Sequence, residues 1–181
     1  MRLLKYFVIC GIVFAIDWIS KWIIVNELEL HEEISVIGDF FVITSIRNTG
    51  AAFSMLENQR VFFLIVTIII AAGIVWYMLR TVRNNGKALL LTGLALVLGG
   101  ALGNFIDRAL KGEVVDFLQF TFGSYTFAIF NLADTAICIG VGMILLDSLL
   151  SSRAESTSSV QAAAVSGEPQ TEYDDRKERT E

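Results

Sequence analysis

The stretch ALLLTGLALVLGGALGNFIDR, residues 88–108, decides the fold of this chain. It contains no charged side chain from Ala88 to Ile106, and about 20 apolar residues are enough for a helix to cross a bilayer. Three similar stretches run roughly over residues 4–25, 61–79 and 126–149. Because the chain is also 54% hydrophobic, with a mean hydropathy of +0.61, we predict an all-α integral membrane protein with four transmembrane helices.

One end of the third helix carries polar side chains. Gly100, Asn104 and Asp107 or Arg108 are three or four residues apart, so they share one helical face. Gly99 lies four residues before Gly103, a spacing that lets membrane helices pack backbone to backbone. Polar groups at this depth are predicted to point into the helix bundle and away from lipid.

Two other helices repeat this pattern. Asn131 and Asp134 are three residues apart and are predicted to face one way near the start of helix 4. Asp17 and Lys21 in helix 1 have the i, i+4 spacing of an ion pair, with the acid first. We therefore predict that three helices place polar groups at one level of the membrane.

The first connecting segment, about residues 26–60, is too long for a simple connector. Two apolar runs, residues 34–37 and 40–46, flank Gly38-Asp39 and predict two short β-strands around a turn. The following stretch, Arg47-Asn-Thr-Gly-Ala-Ala-Phe-Ser54, contains Asn48 and Gly50, which favour turn geometry.

Basic residues near the helix ends predict the orientation in the membrane. They place both termini and the short middle loop in the cytoplasm: Arg2, Lys5, Arg80, Arg83, Lys87 and Arg153. The long first loop and the segment around Asp116 then face outward. Residues 151–181 are rich in Ser, Ala and acidic side chains with one aromatic, which predicts a disordered acidic cytoplasmic tail after a membrane domain of residues 1–150.

Two carboxylates, Asp116 and Asp134, lie on either side of the predicted start of helix 4. A carboxylate at the edge of hydrocarbon is a functional candidate, and two that meet could act as the acid and base of an aspartic protease. The only histidine is His31, and Cys10 and Cys138 fall inside apolar helices, which excludes histidine triads, Cys-His pairs and zinc-histidine sites. We expect no metal, no cofactor and, without a basic patch, no nucleic-acid partner.

Three alternatives compete with a two-aspartate site. A proton-coupled transporter would also carry intramembrane polar groups, but the second predicted helix offers no relay. A Ser/Lys peptidase would use Lys21 with Ser20 or Ser54; Ser20 projects about 100° away from Lys21 on the helix, and spacing alone leaves Ser54 open. A purely structural membrane protein would leave the buried polar residues without a purpose.

Five motifs in order resemble the lipoprotein signal peptidase (signal peptidase II) family, over about residues 1–150. They are Asp17-x-x-Ser-Lys21, Arg47-Asn-Thr-Gly-Ala-Ala-Phe-Ser54, Gly99-Gly-Ala-Leu-Gly-Asn-x-x-Asp-Arg108, Val114-Val-Asp-Phe117 and Phe130-Asn-x-Ala-Asp134. The resemblance implies a four-helix bundle of the bacterial inner membrane with an extracytoplasmic β-cradle, a short outer helix and an active site near the outer, periplasmic face. This chain departs from the family pattern at Ser20, a position where threonine is common in the family.

The resemblance also implies an activity and a site. The substrate would be a prolipoprotein whose cysteine carries diacylglyceryl, cut just before that cysteine, with membrane lipids as neighbours and the enzyme acting as a monomer. Asp116 and Asp134 would be the catalytic dyad. The substrate-binding residues would be Asn48, Gly50, Asn104, Arg108 and Asn131. Structural support would come from Asp17, Lys21, Gly100 and Asp107.

Overall fold

Four long helices and a small antiparallel sheet make up the fold. The computed structural model describes residues 3–50, 58–83 and 87–166, with side chains as far as residue 153. The helices are α1 (Leu4–Glu27), α2 (Arg60–Arg83), α3 (Ala88–Lys111) and α4 (Leu132–Ser166). Each contains a span apolar and long enough to cross a membrane, which confirms the predicted four-helix membrane protein.

Helix α3 is the central helix of the bundle, and it packs against both α1 and α2. Small residues set its contacts, because a Cβ atom on Gly99 would lie 2.7 Å from the carbonyl oxygen of Cys10 on α1. On another face of α3, a Cβ on Gly100 would collide with the carbonyl oxygen of Ala133 on α4. Glycine therefore allows α3 to approach α1 and α4 closely, and the spacing of Gly99 and Gly103 predicts such close packing.

The sheet has four strands in the order β1-β2-β3-β4: β1 (Glu33–Ile37), β2 (Phe41–Asn48), β3 (Val114–Phe122) and β4 (Tyr125–Thr126). All three pairings are antiparallel. The first two strands match the predicted pair, whereas β3 and β4 were not predicted. Gly123, with φ +63°, opens the two-residue turn between them, a position that glycine occupies without strain. We call the end of the bundle next to this sheet the sheet end.

Two boundaries differ from the sequence prediction. The last helix begins at Leu132 and not near Thr126, because residues 127–129 have no regular structure and Phe130 pairs with Leu118 of β3. At its other end α4 continues past Ser151 to Ser166, since Ser, Ala and Gln side chains do not interrupt an established helix. The predicted disordered tail lies outside the described residues from 167 onward.

The chain divides into two compact units, Met1–Leu145 and Leu146–Glu181. All of the site described below belongs to the first unit. The four helices are the only ones among the described residues, and the short outer helix implied by the resemblance is not among them; residues 51–57, including Ser54, are not described.

Candidate active site

The start of α4 is a reciprocal cap made by Asn131 and Asp134. The side-chain oxygen of Asn131 accepts a hydrogen bond from the backbone N–H of Asp134 at 3.0 Å. In return, Asp134 Oδ2 accepts from the backbone N–H of Asn131 at 3.3 Å. This is the arrangement of a capping box, which satisfies N–H groups that a helix start leaves without partners. Our prediction that both residues lie within the helix is wrong for Asn131, which precedes its first turn.

A residue of α1 completes this helix start. The backbone N–H of Ala133 donates to Asp17 Oδ1 at 2.9 Å, so a carboxylate of the first helix caps the last one. Gly103 makes room for this carboxylate, because a Cβ at that position would collide with Asp17 Oδ2. The first turn of α4 is thus fixed by contacts to α1 and α3 as well as by its own cap.

Strand β3 brings Asp116 to the same place. Its partner in β2 is Ile46, and this register puts Asn48 two residues further along the neighbouring strand. On the other side of β3, the backbone N–H groups of Phe117 and Leu118 both donate to the carbonyl oxygen of Phe130, at 3.1 and 2.8 Å. Because Phe130 immediately precedes Asn131, this bridge places the helix cap beside Asp116.

Amide side chains link the two carboxylates. Asp116 accepts hydrogen bonds from Asn48 Nδ2 at 2.8 Å and from Asn131 Nδ2 at 2.7 Å, one on each oxygen. Asp134 Oδ1 accepts from Asn104 Nδ2 at 2.8 Å, and Asn131 Nδ2 also lies 3.2 Å from Asn104 Oδ1. The predicted dyad residues are therefore joined through two neutral amides, Asn131 just before α4 and Asn104 on α3.

Asp116 is almost completely buried, at 3% exposure, and among the described residues the side chains that donate to it are the neutral amides of Asn48 and Asn131. Burial raises the pKa of Asp116 to about 6; the hydrogen bond from Asn48 opposes this rise, and the nearby charge of Asp134 adds to it. A carboxyl group in this environment can hold or release a proton close to neutral pH.

A second group of charges lies behind the amides. Lys21 Nζ is 2.7 Å from Asp17 Oδ2 and 3.0 Å from Asp107 Oδ2, and it donates to Asn104 Oδ1 at 2.9 Å. The predicted Asp17–Lys21 ion pair is thus present and has a second acidic partner. Three polar contacts match the three hydrogens of an ammonium group, which leaves Lys21 no lone pair to act as a general base. Ser20 Oγ instead donates to the carbonyl oxygen of Asp17, so neither residue fits a Ser/Lys mechanism.

Arg108 connects α3 to the segment after β2. Its Nη2 donates to the carbonyl oxygen of Gly50 at 2.7 Å, and its guanidinium carbon lies 4.7 Å from the centre of the Phe63 ring on α2. Gly50 N in turn donates to Asn48 Oδ1 at 2.8 Å. Among the described residues, the buried Arg108 Nε has no hydrogen-bond partner, so one donor stays available for another negative group.

The two carboxylates open onto a mostly apolar cavity of about 580 Å³. Its polar wall contains Asn48, Asn104, Arg108, Asp116 and Asp134, all of which the sequence analysis singled out. Its apolar wall includes Phe63, Phe127, Phe130, Ile137 and Ile139. These apolar residues were not predicted, although the run from Phe127 to Phe130 before Asn131 is a visible aromatic signal. A cavity of this size, with convergent polar groups at one wall, is typical of a substrate site.

Every predicted site residue lies at the sheet end of the bundle, but only some line the cavity. Lys21, Asp17 and Asp107 are buried behind Asn104, and Gly100 contacts α4 where a side chain would not fit. Asn131 is fully buried and touches both carboxylates without lining the cavity wall.

Comparisons with known proteins agree with one another. A family model described as signal peptidase (SPase) II matches residues 9–150. The lipoprotein signal peptidase of Brevibacillus brevis is 49% identical over 145 residues, covering 80% of this chain and 95% of the relative. The lipoprotein signal peptidase of Bacillus pumilus is 44% identical, covering 80% and 92%.

Solved structures give the same result. A bacterial membrane enzyme solved at 2.3 Å resolution superimposes with a TM-score of 0.75 and 37% identity, covering 82% of this chain and 89% of that one. A second, solved at 1.9 Å, gives a TM-score of 0.71 and 38% identity, covering 80% and 92%.

Proposed function

This chain belongs to the signal peptidase II family, and we propose that it is a membrane aspartic endopeptidase of lipoprotein maturation. It removes the signal peptide from prolipoproteins whose cysteine already carries diacylglyceryl, and it cuts just before that cysteine. The observation that carries this proposal is the pair Asp116 and Asp134, which faces one cavity and is linked by neutral amide side chains.

The chemistry needs one carboxylate and one carboxylic acid. The carboxylate takes a proton from water, and the resulting hydroxide adds to the carbonyl carbon of the peptide bond. The acid protonates the leaving nitrogen as the C–N bond breaks, which yields a carboxylic acid on the signal peptide and a free amine on the lipidated cysteine; the new carboxylic acid then loses its proton to water. Two close carboxyl groups share one proton readily, and the raised pKa of Asp116 supports this; the proton belongs to the pair.

Other polar groups have supporting roles in this proposal. Asn48 and Asn131 hold Asp116 in one orientation, and Asn104 does the same for Asp134. Arg108, at the cavity wall with a buried donor to spare, is placed to stabilise the negative charge that develops on the carbonyl oxygen. Gly50 links Arg108 to Asn48, because its carbonyl oxygen accepts from Arg108 and its N–H donates to Asn48.

The apolar wall supports a lipid-modified substrate. Ile137 and Ile139 of α4 and Phe63 of α2 belong to membrane-spanning helices, so acyl chains could enter between them while the peptide lies toward the sheet. We further propose that both termini are cytoplasmic and that the sheet end faces outward. A cysteine placed at exposed Asp39 should then react with an impermeant thiol reagent added to intact cells.

The decisive experiment uses one prolipoprotein in two forms, with and without diacylglyceryl on its cysteine. The purified chain should release the signal peptide only from the modified form, and mass spectrometry should find the lipidated cysteine at the new N-terminus. Asp134→Asn serves as the control for contaminating proteases. Equal cleavage of both forms, or cleavage at another bond, would contradict the proposed substrate.

A further inference from the structure

We propose that Lys21 is a positioning residue for the reaction, acting through Asn104 on the catalytic carboxylate of Asp134. This inference rests on the proposed function. A purely structural role for Lys21 would require only its ion pairs with Asp17 and Asp107. The third contact, from Lys21 Nζ to Asn104 Oδ1 at 2.9 Å, leads into the active site.

The geometry fixes the direction of the Asn104 amide. Its oxygen faces the ammonium group, and its nitrogen faces Asp134 Oδ1 at 2.8 Å. An amide turned by 180° would set its N–H groups against the ammonium and its oxygen against a carboxylate, so both contacts would become repulsive. Asn131 Nδ2 also donates to Asn104 Oδ1 at 3.2 Å, and Lys21 provides the shorter and charged contact that keeps the Asn104 donor toward Asp134.

The surroundings make this contact specific. Lys21 is 3% exposed, and the two carboxylates beside it hold its Nζ in one position. Hydrogen bonds in a chain also polarise one another, so an ammonium on the oxygen strengthens donation from the amide nitrogen. Lys21 is absent from the cavity wall, whereas Asn104 and Asp134 both line it. Its effect should consequently appear in kcat and not in KM.

The test is a double-mutant cycle on kcat, measured per folded enzyme with diacylglyceryl-modified prolipoprotein. Lys21→Met should lower kcat by about 10- to 100-fold with little change in KM, because Asp134 loses its fixed orientation. If Lys21 acts through Asn104, the double variant Lys21→Met/Asn104→Ala should lose no more activity than Asn104→Ala alone. Multiplicative losses, or an unchanged kcat in Lys21→Met, would overturn the inference.

Gly93→Ala provides the control for destabilisation. A Cβ on Gly93 would lie 2.7 Å from the carbonyl oxygen of Gly140, so this variant disturbs the contact of α3 with α4 far from Lys21. It should lower the melting temperature and keep kcat per folded enzyme. If Lys21→Met lowers kcat no more than Gly93→Ala does at a matched melting temperature, the role of Lys21 is structural and the inference is wrong.

The experiment separates a failure of this inference from a failure of the proposed function, and a fallback covers a variant that does not fold. If Lys21→Met does not accumulate as folded protein, the cycle is run in Asp17→Asn, where loss of Lys21 removes one charge of each sign, and the same criteria apply. A wild-type chain that cleaves no modified prolipoprotein would remove the proposed function together with this inference. An active wild type with multiplicative losses in the cycle would remove the inference alone.

Discussion

Two pairs of carboxylates lie at the sheet end of the bundle, and their surroundings are opposite. Asp17 and Asp107 share a cation, with Lys21 Nζ at 3.0 Å or less from each. Asp116 and Asp134 are connected by asparagine side chains, which donate hydrogen bonds but carry no charge. The first pair has ammonium groups in direct contact, since Lys111 Nζ also lies 3.6 Å from Asp107 Oδ1, whereas the second pair is held by neutral hydrogen-bond donors.

Under the proposed mechanism, one membrane protein uses the same residue type for stability and for catalysis. A cation between two carboxylates stabilises both as anions, which suits an ion cluster that holds helices together. The same cation between Asp116 and Asp134 would remove the acid that peptide hydrolysis needs. Amides fix the geometry of the second pair and leave a proton to be shared.

The largest expected effect comes from removing one member of the amide-linked pair. Asp116→Asn and Asp134→Asn should each lower kcat by at least about 1000-fold, since an amide can serve neither as the base nor as the acid. Both variants should remain inserted and folded, as judged by size-exclusion chromatography in detergent. Full activity in either one would end the two-carboxylate mechanism.

Removing one member of the cation-linked pair, Asp17 and Asp107, should lower the stability of the protein. Asp17→Ala removes a partner of Lys21 and the cap on the Ala133 N–H, and we expect it to lose about 3–5 kcal/mol of unfolding free energy. Glu27→Ala, an exposed carboxylate on the same helix, is the matched control and should change stability by less than about 0.5 kcal/mol. Thermal melts of the two variants in one detergent give the comparison. A loss in Asp17→Ala no larger than in Asp134→Asn would argue that the two pairs are alike.

The pH dependence of stability should sharpen the contrast. Because the pKa of Asp116 is raised from 3.8 to about 6 on folding, the folded state holds its proton more tightly, and stability is lost as pH rises through 6. Asp116→Asn lacks this loss, so its melting temperature relative to wild type should increase between pH 4 and pH 8, by an amount equivalent to at most about 3 kcal/mol. A difference that does not vary with pH would contradict the assignment of the raised pKa.

The smallest effect is expected from the C-terminal region. We propose that residues after Arg153 are dispensable for catalysis, since every residue of the two carboxylate pairs precedes Leu146. A chain that ends at Arg153 should cleave modified prolipoprotein at close to the full-length rate. A large fall in purified turnover, with insertion unchanged, would show that the C-terminal region contributes to the reaction.

The sequence predicted the four helices, the first two strands and the charged and amide residues of the cavity, for physical reasons; Thr135 of the cavity wall was not predicted. Apolar length defines a membrane helix, and a carboxylate near hydrocarbon is rare enough to indicate a function. The Asp17–Lys21 pair was predictable because i, i+4 spacing is a local property. The contact of Lys21 with Asn104 was not, since it depends on how α1 and α3 pack.

The errors concern short apolar runs. Residues 127–130, Phe-Ala-Ile-Phe, continue the hydrophobic pattern of helix 4, and such a run fits an extended segment as well as a helix. The pattern Asn131-x-x-Asp134 would have placed the helix start correctly if it had been treated as a capping box. Strand β3 was not predicted because its alternating apolar and polar residues follow directly after the apolar helix α3. Its pairing with β2 also joins residues far apart in sequence, which a local pattern does not show.

The cap at the start of α4 also has a consequence for biosynthesis. A ribosome makes the chain from its N-terminus, so Asp116 emerges before Asn131 and Asp134, which arrive with the last membrane helix. Until that helix begins and its first turn meets Asp17, the second carboxylate and the amide that orients the first are both missing. Under the proposed mechanism, a half-inserted chain would therefore be inactive, and proteolysis would begin only once the last helix of the enzyme is in place.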